Sequence, residues 1–313
     1  MTGASGCVGH YLVEELVRGS EHELVLVLRN PGKLVLPPEC ADRVTIIEAD
    51  VRDVDSYLDQ LGHIDEAILA AACWGGPDTL PVNVHANKAI AEHLAAHGGH
   101  RVFYFSSASV LDRNAGLLQA AHDLGTEYIR SKYVLTEEME RLSGKIETIG
   151  VFPTLIVGGE KGKPMSHFAN LLREVSRWAW LASFFRADGR FHFIHARDIA
   201  RTVRILVDTD QIPLEHPARI VLGNPATTVN RFIEDFLRYR GIRNPLKVML
   251  RESYAQILIK VFRIQLGPWD RYCMEHRDLS FQHAVNPDTL GAKTYCSDLK
   301  TALESIGIPG KAA

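Results

Sequence analysis

The chain has 313 residues, of which 46% are hydrophobic and 23% charged, a composition that fits a globular protein with one large α/β core or such a core plus an appendage. A formal net charge of -3 gives no general electrostatic reason to bind nucleic acid or an acidic membrane. Five scattered cysteines (Cys7, Cys40, Cys73, Cys273, Cys296) without a C-x-x-C pair point to reduced thiols and a cytoplasmic protein, and no apolar run reaches the length of about 18 residues that membrane insertion of a helix needs.

Glycine recurs at Gly3, Gly6 and Gly9, followed by Leu12, Val13, Leu16 and Val17 at helical spacing, so a glycine turn feeds a helix that runs to about Gly19. Such a turn lets backbone amides approach a pyrophosphate at the positive end of the helix dipole. Gly3 suits the tight turn, Gly6 leaves room for phosphates, and Gly9 lets the helix pack closely on a sheet. The spacing is G-x-x-G-x-x-G, not G-x-G-x-x-G, and an ordinary loop turn can carry the same pattern. The continuous apolar run Leu24–Leu28 then reads as a parallel strand buried on both faces.

Thr2-Gly3-Ala4-Ser5-Gly6-Cys7-Val8-Gly9 resembles the signature of the extended short-chain dehydrogenase/reductase family. The resemblance implies an α/β fold, a Rossmann-type doubly wound parallel sheet over residues 1–160. A smaller, mainly substrate-binding region over 161–313 would be interleaved with late sheet elements near 190–224. It places Gly3, Ser5, Gly6, Cys7, Val8 and Gly9 around a cofactor pyrophosphate. In the family an apolar strand precedes the Thr-Gly; here only Met1 does, so the first, central strand is expected upstream of Met1. Arg29 ends the strand 24–28 without the acid that accompanies NAD in this family. An arginine can pair with a 2′-phosphate, which favours NADP over NAD; a solvated strand-end arginine is the alternative reading.

Val44–Asp50 reads as the next strand, and Asp50-Val51-Arg52-Asp53 resembles the family's Asp-x-x-Asp at the adenine, with Asp50 accepting from the amino group and Val51 packing on the ring. A helix N-cap at Asp50 or Asp53 suits the same residues. Ala67–Ala72 forms a strand whose small end residues, Ala70, Ala71 and Ala72, permit close approach to the cofactor. Asn83-Val84-His85-Ala86-Asn87 resembles the family's Asn-Val-x-Gly-Thr, which offers Asn83 as a contact near the nicotinamide, or as a helix-start asparagine.

Val102–Phe105 is a strand that delivers Ser106-Ser107-Ala108-Ser109 to its C-terminal end, where open α/β sheets bind ligands. Tyr128 and Lys132 follow at helical spacing i, i+4, so phenol and ammonium share one face. A free tyrosine has a pKa near 10, and acid–base work at neutral pH asks for a shift of up to about three units, part of which a fixed cation supplies. The resemblance makes Ser107 the catalytic hydroxyl, with Ser106 as fallback. Tyr128 becomes the proton carrier, and Lys132 the holder of the nicotinamide ribose.

Thr148–Phe152 is a further strand, and Pro153-Thr154-Leu155-Ile156-Val157-Gly158-Gly159 resembles the family's Arg-Pro-x-x-x-x-Gly segment, with Pro153 beside the cofactor and Phe152 in place of the arginine. Most of the aromatic stretch 168–185 reads as core or lid. Phe191–Ala200 resembles a strand-then-helix element in which Asp198 starts the helix and His195 is structural. Arg219–Gly223 is a strand, Phe232–Leu237 a helix, and Tyr254, Ile257, Leu258, Val261 and Phe262 form an amphipathic pattern suited to core or oligomer packing.

The expected function is NAD(P)-dependent hydride transfer between nicotinamide and a carbonyl or alcohol of a small molecule. A nucleotide-sugar epimerase that retains NAD and a non-catalytic NADP-binding sensor or scaffold are the alternatives. Ser107-Ala108-Ser109 stands where the family's sugar dehydratases resemble Thr-Asp-Glu, so elimination lacks its acid. The resemblance also makes a homodimer plausible; no nucleic-acid partner and no metal are expected.

Overall fold

The computed structural model describes residues 1–36, 42–160, 162–182, 184–209, 218–243, 248–249 and 266–311. The expected amphipathic pattern at 254–262 lies outside the described residues.

Apolar runs form the parallel strands β1 (Leu24–Leu28), β2 (Val44–Glu48), β3 (Glu66–Leu69), β4 (Arg101–Phe105) and β5 (Glu147–Pro153). Short strands follow: β6 (Leu155–Val157), β7 (Phe185–Arg186), β8 (Arg190–Phe191) and β9 (Phe193–His195), then the longer β10 (Ala218–Leu222). In the main sheet β3, β4, β5 and β10 lie side by side, with Ala284–Val285 beyond β10, all parallel. Every residue of β4 is buried, because helices cover both faces.

The helices are α1 (Cys7–Gly19), α2 (Ala86–Ala96), α3 (Gln119–Leu124), α4 (Glu127–Arg141), α5 (His167–Arg177), α6 (Ala179–Ala182), α7 (Ala196–Val207) and α8 (Val229–Arg240). Leu12 and Leu16 of α1 pack with Ile199 and Val203 of α7 in one core; Ile90 and Leu94 of α2 pack with Leu135 and Met139 of α4 in another. The sheet is therefore doubly wound.

β1 and β2 pair with each other but not directly with β3. Between β1 and β3 lie Met1 and Thr2. Thr2 makes parallel bridges to Val27 on one side and Leu69 on the other, through Thr2 N to Ile68 O (3.0 Å) and Val27 N to Met1 O (3.0 Å). The place that the resemblance gives to a central strand is thus held by two residues. Next to them is an apolar cleft of about 20 Å³ lined by Val25, Tyr57, Leu61, Ile64, Leu69 and Leu94. The Met1 ammonium donates to Val25 O, and burial pushes its pKa down to about 5.

One expectation is corrected. The cap of α7 is His195, whose Nδ1 accepts from Arg197 N at 3.1 Å, and Asp198 sits in the first turn instead of starting the helix. Asp198 is buried and accepts from the backbone amides of Tyr295 (2.6 Å) and Cys296 (3.0 Å). Within the aromatic stretch, Ala169 and Leu172 are core, while Trp178 and Trp180, 63% and 58% exposed, lie outside that core. The α5 face that turns inward meets Phe193, Leu299 and Leu303, and the tryptophans fall beyond it.

An apolar pentapeptide added ahead of Met1 is expected to extend Met1–Thr2 into a full strand between β1 and β3. Thr2 already faces Val27 and Leu69, three residues past the strand starts, so only two added residues would lie between β1 and β3; burying them contributes roughly 1.5–3 kcal/mol each, against about 1–2 kcal/mol per residue of backbone entropy. A net gain raises the melting temperature by about 2–4 °C per kcal/mol. A scanning-calorimetry midpoint unchanged by the extension would show that the cleft does not accept a strand.

Candidate active site

The glycine turn is built by packing. Gly3 has φ +74°, and a Cβ there would lie 2.5 Å from the Ala70 carbonyl carbon and the Ala71 nitrogen. A Cβ on Gly9 would lie 2.0 Å from Gly3 O, so α1 can approach the turn only with glycine at that position. Gly6 is exposed and caps α1 without a side-chain acceptor. The first-turn amides of Cys7 and Val8 are left for an anion, and this cradle fits a dinucleotide pyrophosphate, with Ser5 half-buried beside it. Burial pushes the Cys7 thiol up to about 12, which keeps it protonated.

At the end of β1, Arg29 is exposed, and its guanidinium stands 3.7 Å from the Asp50 carboxylate. Asp50 accepts from the Arg52 backbone amide (2.9 Å) and guanidinium (2.8 and 3.0 Å), and these bonds hold its pKa near 2. Val51 is half-buried; its carbonyl accepts from Tyr57 Oη at 2.9 Å. Ala70 and Ala71 carry the backbone that meets Gly3, and Ala72 is exposed beyond them. Pro153 is buried at the end of β5, opposite Leu222 of β10.

The end of β4 is joined to α4 by two hydrogen bonds, with a third inside the helix converging on the carbonyl that one of them uses. Lys132 Nζ donates to Phe105 O (2.8 Å), Ser106 Oγ donates to Lys132 O (3.0 Å), and Thr136 Oγ1 donates to the same carbonyl (2.8 Å). Ser106 thus supports the fold, and the neighbouring Ser107 is the hydroxyl left at the strand end. It is half-buried and accepts from Ser109 N at 3.3 Å, with its own proton available. Lys132 is only 1% exposed, and burial pulls its pKa down to about 7. Its Nζ lies 5.8 Å from the centroid of the Tyr128 ring, while burial pushes the phenol above its ordinary range.

Asn83 is fully buried. Its Oδ1 accepts from Cys73 N (2.8 Å), and its Nδ2 donates to Cys73 O (2.8 Å) and to Ser131 Oγ (2.8 Å). Both amide protons are engaged with protein, so the side chain ties the segment after β3 to α4. That segment brings in a residue absent from the sequence reading: the Trp74 ring stacks on Tyr128 at 4.1 Å with an interplanar angle of 12°. An isolated tryptophan in a glycine-rich turn has no periodicity to announce it. Among the described residues no group of three His, Cys, Asp or Glu side chains could hold a metal ion, and no helix is long and apolar enough to cross a membrane.

A glycine cradle at a helix start, with a tyrosine and a buried lysine past the strand ends, defines a Rossmann-type enzyme of the extended short-chain dehydrogenase/reductase class. Residues 1–223 match the model of the NAD-dependent epimerase/dehydratase family, and the chain belongs to that family. No curated protein matches the sequence. Solved structures share the fold. The protein gox2253 is 18% identical, with 98% of each chain covered and a TM-score of 0.71. The dTDP-glucose 4,6-dehydratase DesIV of Streptomyces venezuelae, solved with NAD, is 15% identical, with 97% of this chain and 94% of that one covered and a TM-score of 0.66. MoeE5, solved with UDP-glucose and NAD, is 20% identical, with 97% and 95% covered and a TM-score of 0.63.

Lys132 makes stability depend on pH. The unfolded chain holds this proton to about 10.5 and the native chain only to about 7, so between those values the unfolded state binds more protons. The contribution of Lys132 to stability is therefore most unfavourable below about 7 and improves as pH rises towards 10.5. The isosteric Lys132→Met variant is expected to exceed the wild type in stability most at low pH, the gap closing as pH rises. Urea midpoints of the two proteins across this range measure it; a constant gap would show that Lys132 is not depressed.

Proposed function

We propose that the protein is an NAD(P)-dependent oxidoreductase that moves a hydride between nicotinamide and a carbonyl or alcohol carbon of a small molecule at Ser107, Tyr128 and Lys132. The observation that carries this reading is Lys132, a lysine 1% exposed, fixed to the end of β4 and set beneath the Tyr128 ring. The nicotinamide supplies or takes the hydride. Tyr128 Oη gives a proton to the developing alkoxide, or takes one from the alcohol, and Ser107 Oγ donates a hydrogen bond to the same oxygen. Lys132, when charged, favours the phenolate and holds a ribose hydroxyl. Small groups at Ala70 to Ala72 and Pro153 line the cofactor path, with Asp50 and Val51 at the adenine end and Asn83 fixing the segment nearest the nicotinamide.

For the cofactor we favour NADP, because Arg29 leaves an exposed guanidinium at the strand end, 73% accessible at its side chain, where a 2′-phosphate would sit. The solved neighbours named with a cofactor carry NAD, so the choice rests on Arg29 alone. The four described cysteines are free, in keeping with the reducing cytoplasm.

The second reading, a nucleotide-sugar epimerase that keeps its NAD, is favoured by one cavity. About 680 Å³ of space opens beyond the C-terminal ends of β10 and Ala284–Val285, lined by Arg113, Arg190, Gln282, Asn286 and Ser297. Arg113 pairs with Asp278 at 3.4 Å, and a diphosphate could replace that carboxylate.

Tyr128→Phe is expected to lower kcat by about 10²–10⁴-fold while leaving the cofactor dissociation constant unchanged. Full activity in that variant would sink the proposal. Denaturing the purified protein and assaying the supernatant separates the two readings: stoichiometric NAD(H) means an epimerase. An empty protein that binds NADPH more tightly than NADH, with the preference lost in Arg29→Ala, means an exchanging reductase.

A further inference from the structure

Trp74 is held over Tyr128 by a frame tied at both sides to the helix that carries the tyrosine. Before it, the backbone N–H and C=O of Cys73 are both bound by the Asn83 side chain, which also donates to Ser131 Oγ on α4. After it, Gly76 N donates to Glu127 Oε2 at 2.7 Å, and Glu127 directly precedes Tyr128. Gly75 and Gly76 have φ of +156° and +86°, so the chain turns sharply between the indole and its second tether. The indole meets Tyr128 face to face at 4.1 Å and the His167 imidazole of α5 at 4.1 Å, tilted by 47°. With both contacts made, 56% of Trp74 is still exposed.

A solvated surface tryptophan needs no such frame. Four hydrogen bonds, three of them made by a fully buried asparagine that accepts one and donates two, set this ring against the phenol and leave 56% of it exposed.

We propose that Trp74 is a specificity-determining residue, the wall against which the carbon skeleton of the substrate packs while its oxygen meets Tyr128, selecting substrates with a flat or cyclic apolar face over open-chain ones. The proposal rests on Tyr128 being the proton carrier at this site. An indole face gains dispersion and C–H···π contact from a preformed ring, whereas an open chain must lose rotational freedom to lie on it. His167 contacts the same indole, which brings the start of α5 beside this wall.

The test uses the full chain loaded with its oxidised nicotinamide cofactor, so that a ketone binds without turnover, and two six-carbon probes, cyclohexanone and hexan-2-one. The wild type is expected to bind the cyclic ketone about tenfold more tightly, with quenching of the Trp74 emission. Trp74→Ala should bring the two dissociation constants to within about twofold, and Trp74→Phe should retain most of the preference, both with unchanged cofactor affinity. Equal binding of the two ketones by the wild type, or a preference that survives in Trp74→Ala, overturns the proposal. Tyr128→Phe, assayed in parallel with reduced cofactor, judges the underlying reading separately. Persisting turnover there would refute Tyr128 as proton carrier, while the binding ratio, measured without turnover, still decides the role of Trp74.

Discussion

A buried amine at the junction of β4 and α4 sets the terms for the rest of the site. Lys132 has one carbonyl partner, Phe105 O, and almost no access to water, so its charge is disfavoured in isolation. Tyr128, beside it, is likewise disfavoured as an anion. Burial therefore disfavours the charged form of each group when it is considered alone. The ionised pair is another matter: phenolate and ammonium stabilise one another strongly in a medium of low dielectric constant. A ribose or substrate hydroxyl arriving between them would add hydrogen bonds to the charged forms, and the same burial that suppresses each charge strengthens that response.

The sheet was readable from the sequence because its strands are buried on both faces, and continuous apolar runs such as Leu24–Leu28 and Val102–Phe105 have few other uses. The tyrosine–lysine spacing was readable because four residues return a helix to the same face. Other features depend on residues that meet only in the fold. The strand 44–50 stops at Glu48, and Asp50 is drawn to Arg52, two residues on, an Asp-x-Arg contact that the sequence could have suggested. Strands β6 and β9 are three residues each and exist because they pair with one another. Capping by His195 gave no local signal, since Asp198 is the more usual cap residue and was drawn instead to the amides of Tyr295 and Cys296.

The aromatic stretch shows why composition is a weak guide to burial. Ala169 and Leu172 face inward on α5, while Leu171, Val175 and Trp178, spaced as one helical stripe, are 52%, 38% and 63% exposed. Apolar content alone does not say which stripe meets the core. Trp74 is the converse case, a single ring whose meaning comes from Asn83, on the next helical segment, and from Glu127, remote from it in the chain.

The bond from Asp198 to the amides of Tyr295 and Cys296 has a topological effect. It fastens the chain back to the start of α7, and Tyr295 Oη adds a second fastening through Glu160, 2.9 Å away. The chain that leaves the main sheet after β10 rejoins it at Ala284–Val285 and is then returned to α7 at a fixed point, so what lies between β10 and Ala284 is a closed excursion. Changes of length or sequence within that excursion do not have to disturb the cradle at Gly3 to Gly9 or the junction at Lys132. A scaffold stapled in this way can change what it recognises while its proton-handling machinery stays where it was.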